Sequence, residues 1–276
     1  MKRIEITSGE TRAVILPDFG GMVSELSICG TDVLRMNYGM LGMSSVLAGG
    51  IPVLFPFLSR SRNDEATFEG DVYTMPMHGF AKDVPFEVLS QWEQGCELRI
   101  VSNEMTRRFY PYDFRFCIRY ELDGHCLNTT AIISNLSDRA LPFVLGFHPY
   151  FLTQDRSKTE FRFGLRRYWD YTRMDAEGNP FEGMLDAPLT LNASHDTVFW
   201  EGDPQCEIVN TELGYRARLR ADDTFGVVTI CTMLENASCV EPWQARPGAA
   251  ADRSMCQVAQ RGEKKAYHYQ IALEKL

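Results

Sequence analysis

The chain lacks most of the features that assign a protein at sight. Its 276 residues contain no apolar run near the ~18 residues that a membrane helix needs, so no membrane partner is expected. The opening Met1-Lys2-Arg3-Ile4-Glu5-Ile6 carries charge with no apolar stretch behind it, and no secretory signal is expected. Cations are outnumbered, 28 Lys and Arg against 37 Asp and Glu. A net charge of −9 is the wrong sign for a phosphate-backbone binder, so no nucleic-acid partner is expected either. There is no Gly-rich phosphate loop after a strand, no G-x-S-x-G elbow and no H-E-x-x-H. His78, His148 and His195 are widely spaced, so neither a metal nor a cofactor is expected. Eight cysteines (29, 96, 117, 126, 206, 231, 239 and 256) make no C-x-x-C pair and no zinc cadence. They are expected to stay reduced as small buried hydrophobes in a cytoplasmic protein.

What is present is an ordinary globular composition, 45% apolar and 24% charged. A chain of this length buries roughly 75% of its unfolded surface, so no disulfide or metal staple is required. Helical periodicity is almost absent and period-two alternation recurs. Phe114, Phe116, Ile118 and Tyr120 alternate with Arg115, Cys117 and Arg119, and Asp123-Gly124 then predicts a hairpin into Leu127, Thr129, Ala131 and Ile133. Leu98 and Ile100, then Tyr215, Ala217 and Leu219, then Tyr267, Tyr269, Ile271 and Leu273 follow the same rule. Turn-rich segments at short intervals predict an antiparallel sandwich or barrel. Short helices are expected only within Met36 to Leu47 and around Asn103 to Arg108. Without a linker or repeat, residues 1–276 are read as a single all-β domain.

Several segments carry side chains suited to chemistry, each with a plainer account beside it. Gly49-Gly50-Ile51-Pro52 through Phe55-Pro56 must turn. Arg60 and Arg62 emerge from it, either to hold an anion or carbonyl or to face water and pair with Asp64 and Glu65. In Met77-His78-Gly79, glycine lets the backbone bring the histidine close to a ligand, or His78 is an ordinary half-buried side chain. In Gly146-Phe147-His148-Pro149-Tyr150-Phe151, Pro149 excludes the α region for His148 and aims its ring. Aromatic neighbours then suit it to acid–base work on an uncharged substrate, or it is a core histidine bonded to a carbonyl. In Glu241-Pro242-Trp243, a proline-pinned carboxylate stands beside an indole able to stack on a sugar. Apolar surroundings would raise its pKa from about 4.3, unless it is simply a loop residue. Asp196, at the mouth of a strand, either binds a hydroxyl pair or starts a turn.

Taken in order, these segments resemble the aldose 1-epimerase (galactose mutarotase) family, closer to the branch that includes hexose-6-phosphate epimerases. The resemblance runs from Leu16-Pro17-Asp18-Phe19-Gly20-Gly21 through the Gly-Gly-x-Pro and Phe-Pro run, His78-Gly79-Phe80 and Tyr110-Pro111-Tyr112-Asp113-Phe114. It continues through Pro142-Phe143, the His148 segment, Asp196 and Glu241-Pro242. It implies a large two-sheet β-sandwich, monomeric or homodimeric, with a cleft for an aldohexose or hexose phosphate. By resemblance, Glu241 is the base that takes the C1 hydroxyl proton and His148 the acid that protonates the ring oxygen. His78 and Asp196 hold substrate, and Arg60 is the cleft arginine, with Ser61-Arg62 offering a second register. Lys82 stands where many relatives carry arginine, and lysine does not grip a phosphate in bidentate fashion. Ring opening at C1 needs only an acid and a base, expected on opposite sides of C1. A non-catalytic carbohydrate-binding sandwich is the alternative, and a glycosidase or lyase built on an Asp196–Glu241 carboxylate pair is a third.

Overall fold

The computed structural model describes every residue except 42, 44–47 and 187–193, together with the side chain of Arg62. Strands dominate it. Every strand pairing among the described residues is antiparallel, and the one parallel contact is an isolated bridge between Phe55 and Gly79. The expected hairpin forms: Phe114–Asp123 and Cys126–Asn135 pair from Phe114↔Asn135 to Asp123↔Cys126, so the turn residues are Gly124 and His125. Along Phe114–Asp123 every second side chain is buried, the period-two rule in physical form.

These two strands belong to a large sheet. From one edge, its order is Val53–Leu54, Gly146–Phe147, Ala237–Trp243, Val227–Cys231, Asp196–Asn210 and Tyr215–Ala221. Lys264–Lys275, Cys126–Asn135, Phe114–Asp123, Gly95–Val101 and Glu87–Trp92 follow, and Tyr150–Leu152, Thr159–Met174 and Pro180–Met184 join the sheet off this path. A four-stranded sheet made of Ile4–Ser8, Thr11–Leu16, Met22–Ile28 and Thr31–Asp32 packs against the Phe114, Gly95 and Lys264 strands. The buried side chains between them, from Ile4 to Leu273, form one continuous apolar cluster. The all-β, two-sheet antiparallel architecture is therefore as expected.

Helix is scarce. Glu104–Arg107 is a single α turn, held by a capping box in which Asn103 accepts from the Met105 and Thr106 amides and Thr106 accepts from the Asn103 amide. In the stretch expected to be helical from Met36 to Leu47, the described residues supply only the 3-10 turn Tyr38–Met40, and the remainder lies largely outside the described residues.

The segment from Gly49 to Phe57 crosses the large sheet's edge, and glycine makes that passage possible. Gly50 has φ +71°, and a Cβ there would lie 2.5 Å from the Val23 carbonyl oxygen. Gly79, at φ +71°, is tighter: a Cβ would meet the Phe55 oxygen at 2.1 Å. That oxygen accepts from the Phe80 and Ala81 amides at 3.0 and 3.1 Å, so the backbone after His78 is clamped onto Phe55. Phe55 itself packs among Phe80, Tyr110, Phe114, Phe116 and Phe143.

Gly79→Ala should therefore destabilise the fold well beyond the ~1–2 kcal/mol expected for a left-handed backbone alone. Gly124→Ala is the control, because it shares a positive φ of 55° but has nothing within 4 Å of its Cβ. Equal losses for the two variants in denaturant unfolding would show that the Phe55 clamp contributes nothing.

Candidate active site

Sheet register decides which side chains meet. Asp196, Cys231, Cys239 and Tyr150 are successive partners across four strands, so they share one face. Two residues along, Val198, Thr229 and Glu241 make the next row of that face, and Trp200, Val227 and Trp243 the one after. The alternation Cys239-x-Glu241-x-Trp243 thus lays a thiol, a carboxyl and an indole side by side, all almost fully buried.

His148 reaches this face from the sheet edge. Its amide donates to the Pro52 carbonyl at 3.1 Å, which ties it to the Gly-Gly-x-Pro segment, and the Val240 amide donates to the Pro149 carbonyl at 3.3 Å. The imidazole stacks on the Tyr150 ring at a centroid distance of 4.5 Å and a tilt of 8°. Its Nε2 lies 3.2 Å from Glu241 Oε2 and 3.4 Å from the Tyr150 hydroxyl. Glu241 is 1% exposed and His148 5%. The carboxyl oxygen nearest the ring makes no well-directed hydrogen bond, and the other ring nitrogen, Nδ1, is buried without a partner. The Trp243 indole N–H also lacks a hydrogen bond of good geometry, yet stands close enough to Glu241 to favour its charged form slightly.

Burial sets the electrostatics. It pushes the Glu241 carboxyl well above its ordinary range, assisted by Cys231 and Asp196. It pushes the His148 imidazole well below its ordinary range, assisted by the neighbouring His78. Each partner taken alone is thus driven toward its neutral form, and what favours charge is the other partner at 3.2 Å.

His78 joins them. Its ring meets His148 edge-on at 5.4 Å and Trp243 at 5.7 Å. Its backbone sits at φ +63°, unusual for a residue other than glycine, bracketed by two bonds to Ser59. The His78 amide donates to the Ser59 carbonyl at 2.8 Å, and the Ser59 amide donates to Nδ1 at 3.1 Å. Because Nδ1 accepts, the neutral ring carries its proton on Nε2. Burial, followed by the charge of Lys82, pushes its pKa down to about 3, which keeps it a neutral donor. Lys82 is itself buried, and its ammonium is ion-paired with Asp83.

Of the residues expected in the cleft, His148, Glu241, His78 and Trp243 come together, Lys82 lies beside His78, and Asp196 occupies the same sheet face. Burial, then Asp170, raises the Asp196 carboxyl. Arg60 follows the plainer account: its guanidinium is 63% exposed and pairs with Asp64 at 2.8 Å. The Arg62 side chain lies outside the described residues. The arginines along Thr159–Met174 lie on a solvated strand face, with Arg162 on Glu160 and Glu207, Arg167 on Glu182 and Glu201, and Arg173 on Asp170. The two side chains expected on opposite sides of C1, His148 and Glu241, lie side by side at 3.2 Å. Tyr150, Cys239 and Cys231 were not singled out from the sequence. Their signal was the i±2 spacing from His148 and Glu241, which acquires meaning only once strand register is known.

The model of the aldose 1-epimerase family matches residues 2–272. Among curated proteins, the LacX protein encoded on a plasmid of Lactococcus lactis subsp. lactis is 29% identical over 109 residues, 37% of this chain and 36% of that protein. A Salmonella typhimurium protein whose name assigns it glucose-6-phosphate 1-epimerase activity provisionally is 27% identical over 84 residues, 29% of this chain and 26% of its own length. The matched stretch thus spans about a third or less of these curated relatives. Among solved structures, the Slr1438 protein from Synechocystis sp. PCC 6803 superposes with a TM-score of 0.92 at 23% identity, covering 100% of this chain and 96% of that one. A galactose mutarotase-like protein from Clostridium acetobutylicum gives 0.83 at 18%, covering 99% and 95%. At these identities the structural likeness speaks to fold, while the family match runs nearly end to end: the chain belongs to the aldose 1-epimerase family.

Proposed function

We propose that this protein catalyses mutarotation, interconverting the α and β anomers of an aldohexose, with Glu241 and His148 as its acid–base pair. The observation that carries this is the 3.2 Å approach of His148 Nε2 to Glu241 Oε2 in a buried setting beside the Trp243 indole. The C1 hydroxyl oxygen and the ring oxygen are both bonded to C1, so the two oxygens that exchange protons are themselves neighbours. An adjacent acid and base suit them better than a pair separated by the width of a sugar.

Glu241 takes the proton from O1 as the C1=O1 bond forms, and the C1–ring-oxygen bond breaks with its electron pair left on the ring oxygen. That oxygen receives the proton from His148 Nε2. Rotation about C1–C2 presents the other carbonyl face, and closure runs both transfers backwards. The pair begins and ends with one proton, so no cofactor is required by the balance. His78 Nε2–H is a fixed neutral donor for a sugar hydroxyl, Trp243 offers an apolar face, and Asp196 stands at the far side as an acceptor. Of the three cations that the motifs mark, the two whose side chains are described, Lys82 and Arg60, are already paired with Asp83 and Asp64. This favours an uncharged aldohexose over its 6-phosphate.

Glu241→Gln should lower the rate of mutarotation by about 10²–10⁴-fold, the usual contribution of a general acid or base. Sugar affinity should stay within about tenfold, since the amide keeps the carboxyl's shape. Polarimetry on fresh α-glucose and α-galactose and their 6-phosphates, with binding measured by calorimetry, decides it. A wild-type protein that binds sugar without accelerating anomer exchange would leave only a carbohydrate-binding role.

Because the working pair holds one proton, kcat/KM should be bell-shaped. The acid limb marks gain of a second proton and the alkaline limb loss of the last. With burial raising Glu241 and lowering His148, the upper limb belongs mainly to the carboxyl and the lower to the imidazole. A profile flat from about pH 5 to 9 with chemistry limiting would rule out the pair.

A third outcome concerns stability. A folded carboxyl pKa above the unfolded value of about 4.3 means that the native state holds more protons than the unfolded one. Stability is then lost as pH rises from the unfolded value through the folded one. Glu241→Gln should therefore melt higher than wild type at pH 8 and close to it at pH 4. Identical melting at both pH values would mean that Glu241 pays no burial penalty.

A further inference from the structure

The same sheet face holds a thiol that the proposed reaction does not use. Cys239, Glu241 and His148 present one ligand atom each, and these atoms all lie within 4.8 Å of one another. All three residues are buried, Cys239 and Glu241 at 1% exposure each and His148 at 5%. Glu241 Oε2, 3.2 Å from His148 Nε2, is buried and makes no well-directed hydrogen bond. A second thiol stands beside the first: Cys231 is the direct cross-strand partner of Cys239. The Cys239 S–H donates toward the Cys231 sulfur, which holds the Cys231 thiol below its ordinary range. All eight cysteines are free.

Sulfur, imidazole nitrogen and carboxylate oxygen converging on one point form a donor set that zinc and its soft analogues accept tetrahedrally. Magnesium and calcium, which demand several oxygens, find a single carboxyl here. Sequence spacing pointed away from a metal because its donors come from two separate segments, and register brings them together.

We propose that His148, Cys239 and Glu241, with Cys231 beside Cys239, bind a soft divalent cation such as Zn²⁺, and that the bound ion excludes sugar from the site. On binding, the ion displaces the Cys239 thiol proton and the one proton that the His148–Glu241 pair holds, both of which leave to solvent, and takes lone pairs from the thiolate, His148 Nε2 and a Glu241 oxygen. The acid–base pair is then occupied, so the site is inhibitory and not a resident cofactor centre. The exclusion of sugar rests on the function proposed above, whereas uptake of the ion does not.

Cadmium is the probe, because its thiolate complexes absorb in the ultraviolet by sulfur-to-metal charge transfer. Titrating the full chain with Cd²⁺ should give that band with a stoichiometry of one, and Cys239→Ser should weaken uptake at least ~100-fold, the upper end of what even the partners of metal ligands contribute. Thermal unfolding of the apo variant, and the milder Cys231→Ser, guard against a folding defect. Cys231→Ser should retain the band at reduced affinity. Excess galactose should weaken apparent cadmium affinity. Cadmium uptake with no charge-transfer band, or a band that survives unchanged in a folded Cys239→Ser protein, overturns the site. A protein inactive on every aldose tested that still shows the Cys239-dependent band supports the metal site and counts only against the catalytic reading.

Discussion

An ionised carboxylate and an ionised imidazole cannot both be buried unless they face each other, and much of the cleft follows from that constraint. At 3.2 Å and an effective dielectric constant near 20, their attraction is about 5 kcal/mol. Removing each ion from water costs several kcal/mol. Within the buried pair the two effects nearly cancel, and with two desolvations against one attraction the balance tips toward the neutral forms. That matches the opposed directions in which burial drives Glu241 and His148. In the reaction proposed above, sugar hydroxyls beside the pair supply hydrogen bonds that water no longer provides. The same burial that destabilises the charged pair at rest thus makes its charge available to the ligand.

Such a pair works only if its members cannot drift apart, and the backbone around it is correspondingly fixed. Glu241 lies in the middle of Ala237–Trp243, a strand buried at every residue. His148 lies off the ladder, where Pro149 would break a central strand, and is pinned through its amide to Pro52. His78 is held at a positive φ by Ser59 on one side and the Gly79–Phe55 clamp on the other. Strain of this kind costs of order 1–3 kcal/mol at a residue and persists where the surroundings over-determine it. Its neutral ring adds no third charge to the site, since both burial and Lys82 oppose protonation.

Much of this was legible in the chain, for identifiable reasons. Half-buried strands write their period directly into the sequence, so Phe114–Asp123 and its hairpin partner could be read off residue by residue. Proline after His148 and after Glu241 marked backbone that must be aimed, and both side chains are aimed at each other. What was not legible depends on register. Nothing in the spacing of Cys231 and Cys239 says that they are cross-strand partners, or that Asp196 and Tyr150 extend their row. Nor does the local sequence around Arg60 decide between a ligand and Asp64, because an arginine leaving an apolar run satisfies either. The adjacency of acid and base was hidden for the same reason, since it is set by a sheet edge meeting a strand from the far end of the chain.

Register also bears on the glycosidase alternative, which needs two carboxyl groups flanking a glycosidic bond. Asp196 and Glu241 lie two strands and two residues apart on one face. With strands spaced about 4.8 Å and residues about 3.3 Å, their backbones are separated by roughly 12 Å. Retaining enzymes place their carboxyls about 5–5.5 Å apart and inverting ones about 6.5–9.5 Å. The backbone separation alone exceeds both ranges, whereas the His148 ring lies within 3.2 Å of the Glu241 carboxyl. The group that stands at proton-transfer distance from Glu241 is an imidazole, and an imidazole beside a carboxyl is suited to moving one proton between two oxygens on the same carbon. Asp196, raised by burial and set on the same sheet face, fits the substrate-holding role in the reaction proposed above, at the end of the ring away from Glu241.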